Sequence, residues 1–374
     1  MPPSPFNLLL AIIDLGGGSG VYCRLLAEGL KGCFPGEFRV SLLVWRDRHL
    51  LDSDRTLFDQ IHVLRCAVNE DWRRLTGTAA NTWRLRRALS GIESDAILTV
   101  GTYANLLVPF AAPRRRVLLS EHIHPTRRLR EARAGRMLRT LMRLRYPGRT
   151  VICPSRGIAD DLRANFAVHE TPVIPHGVNA ARVRQLAAEP APDLAVGKPY
   201  FVACGRLTPQ KDYPTLLRAH AAARAGGLAQ DLVVLGDGPD LDALRSLAAS
   251  LDLAPHVRFL GHRDNPFPYV AGADFLALSS IFEGFGLVLI EAMALGVPCV
   301  ATDCPSGPAE ILGGGEYGLL VPPASPAALG EALVRFACSP ELREGYRTQS
   351  LRRAGELSLQ RMATRYRELL LQSS

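Results

Sequence analysis

A short apolar run that opens into a glycine loop and then a helix restricts a chain more than any overall composition does. It asks for a buried parallel strand, a tight turn and a crossover helix. The unit stands out twice. Phe6 to Ile13 runs into Asp14-Leu15-Gly16-Gly17-Gly18-Ser19-Gly20 and a helix to about Leu30, with apolar Val21, Leu25, Leu26 and Leu30. Ala273 to Leu278 runs into Ser279-Ser280-Ile281-Phe282-Glu283-Gly284-Phe285-Gly286 and a helix that stops near Gly296, just before Pro298. Further apolar runs at Phe38 to Val44, Ile61 to Leu64, Ala96 to Val100, Val117 to Ser120, Val151 to Ser155, Tyr200 to Cys204, Leu232 to Leu235, Val257 to Leu260 and Cys299 to Thr302 alternate with helical stretches. That alternation predicts an α/β chain with doubly wound parallel sheets. At 374 residues two such domains are expected, because a single core stops growing near ~250–300 residues.

Ligands of such sheets lie beyond the carboxyl ends of the strands. The first glycine loop is not a G-x-G-x-x-G, and no acidic residue follows at the dinucleotide spacing, so a nicotinamide cofactor is not expected. The second loop can cradle phosphate, with outward amides and a helix dipole behind them. It also carries Glu283 and, eight positions on, Glu291. A carboxylate beside phosphate makes sense when the ligand also brings hydroxyl groups, which it can accept from in pairs. The plainer reading makes Glu283 a dipole partner of the helix and Glu291 a solvated residue. Arg206 and Lys211 project from the loop after Tyr200 to Cys204 and can clamp a diphosphate without a metal, the alternative being ordinary surface charge. No Asp-x-Asp pair stands in these loops, so no metal or other cofactor is expected.

Net charge is +8, and the segment from Arg127 to Arg149 holds nine Arg and one Glu, which accounts for the surplus. Leu129, Met137, Leu138, Leu141, Met142 and Leu144 recur there at helical spacings, with Arg133, Arg136, Arg139 and Arg143 on another face. A basic amphipathic helix reads first as a surface for an anionic membrane or a pyrophosphate-linked lipid. Nucleic acid is not the expected partner, since stacking aromatics are missing. A solvated helix packed on its apolar stripe is the alternative. The eight cysteines are scattered with no C-x-x-C pair, which reads as reduced thiols in a cytosolic protein. The apolar run Leu8 to Ile13 is far too short to span a bilayer, and no Lys or Arg precedes it as in a signal peptide.

The run Cys204-Gly205-Arg206-Leu207-Thr208-Pro209-Gln210-Lys211-Asp212, then Leu235-Gly236-Asp237-Gly238-Pro239, then Glu283 and Glu291 spaced Glu-x7-Glu, resembles the donor half of the retaining glycosyltransferases of family 4, which have the GT-B fold. The resemblance runs from about Val151 to about Val321 and is weaker before that. It implies two Rossmann-like domains facing a central cleft: residues 1–180 for the acceptor, residues 199–355 for the nucleotide-sugar donor after a linker between about Asn179 and Pro199, and residues 356–374 as a helix crossing back. It implies retaining, metal-independent transfer from a nucleotide-diphosphate sugar, a uridine diphosphate sugar favoured. By the same resemblance Gly17 and Gly18 lie against the donor diphosphate, and His122 (with His124 as second choice) stands near the donor sugar. Arg206 and Lys211 help the nucleotide depart, Glu283 contacts the transferred sugar and Glu291 accepts from the ribose hydroxyls. Backbone groups at Gly205, Gly261, Gly284, Phe285, Gly286, Leu287 and Val288 hold the donor. The Ala-Glu-Arg that usually follows the first glycines is absent, and His176 stands where the family usually has Asn. The Asp303-to-Pro308 run and the Ser120-Glu121-His122 strand end resemble polysaccharide and lipid-linked oligosaccharide enzymes. They lean the acceptor toward a glycan or polyprenyl-diphosphate sugar at the cytosolic face of the membrane, with the enzyme peripheral there. Two other classes stay open: a sugar-nucleotide epimerase on the same architecture, and a nonenzymatic binding protein.

Overall fold

The computed structural model describes residues 4–65, 75–132, 134–194 and 198–372. They form two compact units, one up to Gly177 and again from Leu359, the other Val178–Ser358.

In the first unit the strands β1 (Phe6–Ile12), β2 (Phe38–Val44), β3 (Ile61–Val63), β4 (Ala96–Val100), β5 (Val117–Ser120) and β6 (Val151–Ile152) alternate with seven helices: α1 (Gly17–Cys33), α2 (Asp54–Leu57), α3 (Leu75–Ser90), α4 (Thr102–Ala111), α5 (Pro125–Glu131), α6 (Gly135–Arg145) and α7 (Arg156–Phe166). All six strands are parallel, in the order β3-β2-β1-β4-β5-β6. Strand β1 shows why its sequence is apolar at every position. Leu8, Leu10 and Ile12 face Tyr22, Leu26 and Leu30 of α1, while Leu9 and Ala11 face Leu85 of α3 and Leu107 of α4 on the other side. Alternate side chains leave opposite faces of a strand, so a strand covered on both sides needs no polar register.

The second unit repeats the plan. It holds α8 (Ala180–Ala187), β7 (Tyr200–Cys204), α9 (Tyr213–Ala225), β8 (Asp231–Leu235), α10 (Leu241–Ser250), β9 (Val257–Gly261), α11 (Phe267–Ala271) and β10 (Leu276–Leu278). There follow α12 (Leu287–Ala294), β11 (Cys299–Thr302), α13 (Pro308–Ile311), β12 (Leu319–Val321), α14 (Pro326–Cys338) and α15 (Pro340–Glu356). Its parallel sheet runs β12-β11-β10-β7-β8-β9. The last helix, α16 (Leu359–Leu371), belongs to the first unit. Tyr22 Oη of α1 donates to Tyr366 Oη on it at 2.6 Å, and Arg116 donates to the carbonyls of Leu369 and Leu370, closing the helix end.

Three expectations change. The arginine-rich segment is not one helix: it breaks between α5 and α6. Gly135 opens α6 in close approach to α5, where an added Cβ would sit 1.8 Å from the carbonyl oxygen of Leu129. The segment expected as a linker begins with α8, capped by Asn179, whose side chain accepts from Arg182 N; residues 195–197 of it lie outside the described residues. And β12, a three-residue edge strand, was not expected. Among the described residues no helix is long and apolar enough to cross a membrane.

Candidate functional site

In each sheet the strand order reverses at one point, between β1 and β4 and between β7 and β10. Successive loops leave such a point toward opposite faces, which opens a crevice at the strand ends.

In the second unit this brings the sequence-expected donor residues together. The loop after β7 carries Gly205, Arg206 and Lys211, and the loop after β10 carries Glu283, Gly284, Phe285 and Gly286. Lys211 Nζ donates to Glu283 Oε1 at 2.5 Å, and Ser280 Oγ donates to the same oxygen at 2.6 Å. Glu283 Oε2 has no partner among the described residues. The two loops are sewn together: Ser279 Oγ donates to Lys211 O, Gln210 Nε2 to Phe282 O, and Ile281 N to Gln210 O. A third loop, after β11, joins them, with Ser306 Oγ donating to Glu283 O at 2.6 Å and Glu283 N to Pro305 O at 3.2 Å. Arg206 differs from Lys211. It is exposed, and its side chain makes no hydrogen bond or ion pair among the described residues.

Gly286 caps α12 in a left-handed conformation, and Leu287 and Val288 open that helix, where amides lack intrahelical acceptors. The Phe285 side chain is core, packed near Leu289 and Ile311, so only its backbone faces outward chemistry. Glu291 sits one turn further along α12, half-buried, its side chain without a hydrogen bond or ion pair among the described residues. Burial raises its carboxyl pKa to about 7. Gly261 ends β9, and its carbonyl accepts from Gly236 N at 2.8 Å.

In the first unit Gly17 and Gly18 are the exposed opening residues of α1. His122 follows β5, and its ring meets Ser120 and His176. Ser120 Oγ has one hydrogen and donates it to Thr99 O, so it accepts from His122 Nε2 at 2.8 Å. A neutral His122 then offers Nδ1 as an acceptor, and His176 Nε2 fills it at 3.1 Å. Burial, with the adjacent His176 adding to it, pushes His122 well below the usual imidazole range; burial alone lowers His176 to about 3. Tyr22 covers both rings, at 4.2 and 5.0 Å between centroids. Both ring nitrogens of His122 are therefore taken, and a bond to a sugar hydroxyl requires one of these to open. His124 caps α5 with Nδ1 3.5 Å from Asp161 Oδ2.

Sequence reasoning missed what Glu121 does. Fully buried, it accepts from Tyr146 Oη at 2.5 Å, Asn105 Nδ2 at 3.0 Å and Thr102 Oγ1 at 3.2 Å, while burial raises its pKa to about 7. Tyr146 is the C-cap of α6, so this carboxyl ties the arginine helix to the sheet. Ser280 and Ser306 were missed as well. Two hydroxyl residues flanking a buried carboxylate loop were the available signal.

Of the arginines expected to meet a membrane, Arg133 lies outside the described residues. Arg136 is exposed, Arg139 half-buried, and Arg143 donates to Asn165 O. Met137 and Leu144 do not pack inward as expected. They are 38% and 71% exposed beside those arginines.

Two six-stranded parallel sheets, each with ligand-type loops at its switch point, are the architecture of the GT-B fold. Comparison with known proteins gives the family. A family model described as Glycosyltransferase Family 4 matches residues 16–182, and one described as Glycosyl transferases group 1 matches residues 187–353. The chain belongs to these family 4 glycosyltransferases. It is 29% identical over 347 residues to the N-acetylgalactosamine-N,N'-diacetylbacillosaminyl-diphospho-undecaprenol 4-alpha-N-acetylgalactosaminyltransferase of Campylobacter jejuni, covering 90% of this chain and 92% of that one. It is 30% identical over 307 residues to an exopolysaccharide phosphotransferase of Streptomyces coelicolor, of which it spans 31% while 80% of this chain is covered. In structure it is similar to HepE of Anabaena in complex with UDP and glucose, with a TM-score of 0.79, 18% identity, and coverage of 98% of this chain and 99% of that one.

Proposed function

We propose that the protein moves a sugar, with retention of configuration and without a metal, from a uridine diphosphate sugar to a lipid-linked glycan at the cytosolic face of a membrane, where it is peripheral. The observation that carries the donor half is the meeting of Arg206, the Lys211–Glu283 pair and the unpartnered Glu291 at one switch point. The cations take the diphosphate, Glu283 Oε2 accepts from the sugar, and Glu291 accepts from the ribose hydroxyls. The acceptor oxygen bonds to the anomeric carbon as the carbon–phosphate oxygen bond breaks. The diphosphate keeps that electron pair and takes the acceptor proton, and Arg206, Lys211 and the α12 amides stabilise its charge. The uridine preference is supported by the UDP bound to the Anabaena neighbour, and the lipid-linked acceptor by the diphospho-undecaprenol in the Campylobacter relative's name.

Calorimetry with UDP, GDP and ADP in EDTA tests the donor reading. UDP is expected to bind more tightly from pH 6 to pH 8. Below about 7 the Glu291 carboxyl is protonated and cannot accept from both ribose hydroxyls; hydroxyl donors favour the ionised form, so binding expels a proton and affinity rises with pH. Glu291→Gln should flatten that rise and weaken UDP by about tenfold, the size of one charged hydrogen bond. Binding of none of the three nucleotides, or binding that EDTA removes, would overturn the reading. Flotation tests the membrane half: the protein should rise with anionic vesicles at low salt, and Arg136→Gln with Arg143→Gln should reduce that. Equal flotation of the double variant counts against a membrane role for α6.

A further inference from the structure

Ser120, His122 and His176 form a hydrogen-bond chain whose direction is fixed from its buried end. Ser120 Oγ lies 2.7 Å from the carbonyl oxygen of Thr99, a group that can only accept, so the one hydroxyl hydrogen must point there. Ser120 Oγ therefore meets His122 Nε2, 2.8 Å away, with a lone pair, and Nε2 carries a hydrogen. In a neutral ring Nδ1 is then bare, and His176 Nε2, 3.1 Å from it, must bring the hydrogen. The chain runs from His176 to His122 to Ser120 to Thr99 in one sense. Turning a single bond around would set lone pair against lone pair or hydrogen against hydrogen.

The titratable side chains described against the His122 ring are His176 and Tyr22 of α1, with Tyr366 of α16 behind Tyr22. Burial raises the pKa of both tyrosine hydroxyls and holds them uncharged. Glu121, the next residue in the chain, gives its carboxyl oxygens to Tyr146, Asn105 and Thr102 instead. His122 is thus a neutral group with one basic nitrogen, and His176 occupies that nitrogen.

The two partners of His122 differ in what holds them. Ser120 ends β5, pairs in register with Val100 of β4 and Ile152 of β6, and is fully buried. It cannot move without the sheet. His176 follows the single bridge between Val173 and Cys153, in a stretch without helix or strand. Its bond to His122 is also the longer of the two. His122 is partly exposed whereas His176 is buried, so a ligand meets His122 first. The bond that yields to it is the one at Nδ1.

We propose that His176 is a positioning residue that reserves the basic nitrogen of His122 for a sugar hydroxyl, which donates to Nδ1 and takes the place of the His176 N–H. The assignment rests on the reading of His122 as the histidine beside the reacting sugar, and it deepens the proposed transfer. It names a requirement on the ligand: the oxygen facing His122 carries a hydrogen. An ether or carbonyl oxygen there would meet Nδ1 lone pair to lone pair. No covalent bond changes in the exchange. With Nε2 already protonated, His122 takes no proton through it, in keeping with a diphosphate that takes the acceptor proton.

The test is nuclear magnetic resonance on the full chain with nitrogen-15-labelled histidine, the His122 signals being identified by their loss in His122→Asn. At neutral pH the free protein should show His122 as one neutral tautomer, with the hydrogen on Nε2. Saturating UDP should leave that ring unmoved. At least one of UDP-glucose, UDP-galactose and their N-acetylamino forms should shift Nδ1 and leave Nε2. His176→Phe keeps a ring under Tyr22 but removes the donor. A donor on Nδ1 competes with the proton, so the His122 midpoint should rise by about one pH unit in this variant. The same variant should bind the sugar nucleotide about fivefold more tightly relative to UDP, the worth of one neutral hydrogen bond, since nothing competes for Nδ1. His176→Gln places an amide N–H the same number of bonds from Cα and should restore both values. A packing role alone would move neither. If UDP fails to bind the wild type, the donor reading is at fault, and the His122 midpoints in the two variants still decide the pairing. If UDP binds but none of the four sugar nucleotides shifts Nδ1, or UDP alone shifts it equally, the exchange is wrong. An unchanged midpoint in His176→Phe overturns the role of His176.

Discussion

Arg206→Ala is expected to leave the melting temperature unchanged and to lower kcat/KM by about 10²–10³, the cost of removing one preorganised stabiliser of a departing anion. Arg206 is exposed and unpartnered among the described residues, so its truncation strands nothing inside the protein. Lys211→Ala should lose activity on a similar scale and lose stability too. Among the described residues its ammonium is the only cation bonded to Glu283, whose side chain is almost fully buried. Removing it leaves a buried carboxylate held among the described residues by Ser280 Oγ alone, and breaking such a pair costs about 3–5 kcal/mol. Thermal melts beside steady-state kinetics separate the two: same kinetic class, different stability. Full activity in Arg206→Ala would remove the diphosphate clamp from the mechanism. An unchanged melting temperature in Lys211→Ala would show that its ion pair holds nothing in the resting protein.

The contrast between these two cations was invisible in the sequence, where both read as loop residues five apart. The loops themselves were legible because parallel strands buried on both faces are apolar throughout. Phe38–Val44, Ala96–Val100, Tyr200–Cys204 and Cys299–Thr302 emerged with the expected bounds. The fold then follows from alternation, and the fold places both loops at one switch point. What stayed hidden depends on contacts between distant segments. The start of α6 at Gly135 packs against the carbonyl of Leu129, six residues earlier, where only glycine fits. The His122–His176 bond joins residues 54 positions apart, and Glu121 meets Tyr146 and Asn105 from two other helices. Spacing cannot report such partners. A three-residue edge strand such as Leu319–Val321 carries too short a pattern to separate it from a turn.

Gly307→Ala should have the largest effect on the fold of the donor loops, although nothing in the sequence marks this glycine above its neighbours. Its backbone stands at φ 97°, ψ −70°, which an L side chain adopts only with strain. Space forbids the change independently: an added Cβ would lie 1.9 Å from the carbonyl oxygen of Phe285 and 2.5 Å from its carbonyl carbon. Both are backbone atoms, so no rotamer can move aside. The Phe285 segment must shift, and it is not free to shift alone. Glu283 N donates to Pro305 O and Ser306 Oγ to Glu283 O, so displacement of one loop drags the other, and with it the carboxylate that holds Lys211. A loss of about 3–5 kcal/mol is expected, at the upper end for a single substitution, together with a fall of about 100-fold in UDP affinity if the variant folds. Gly345→Ala is the control with the opposite sign. It lies within α15, where an added Cβ meets nothing within 4 Å, so the helix should gain about 0.5–1 kcal/mol with UDP binding untouched. If Gly307→Ala melted with the wild type while binding UDP normally, the Phe285 and Ser306 loops would have to be mechanically independent. The donor carboxylate would then owe its position to Lys211 and Ser280 alone.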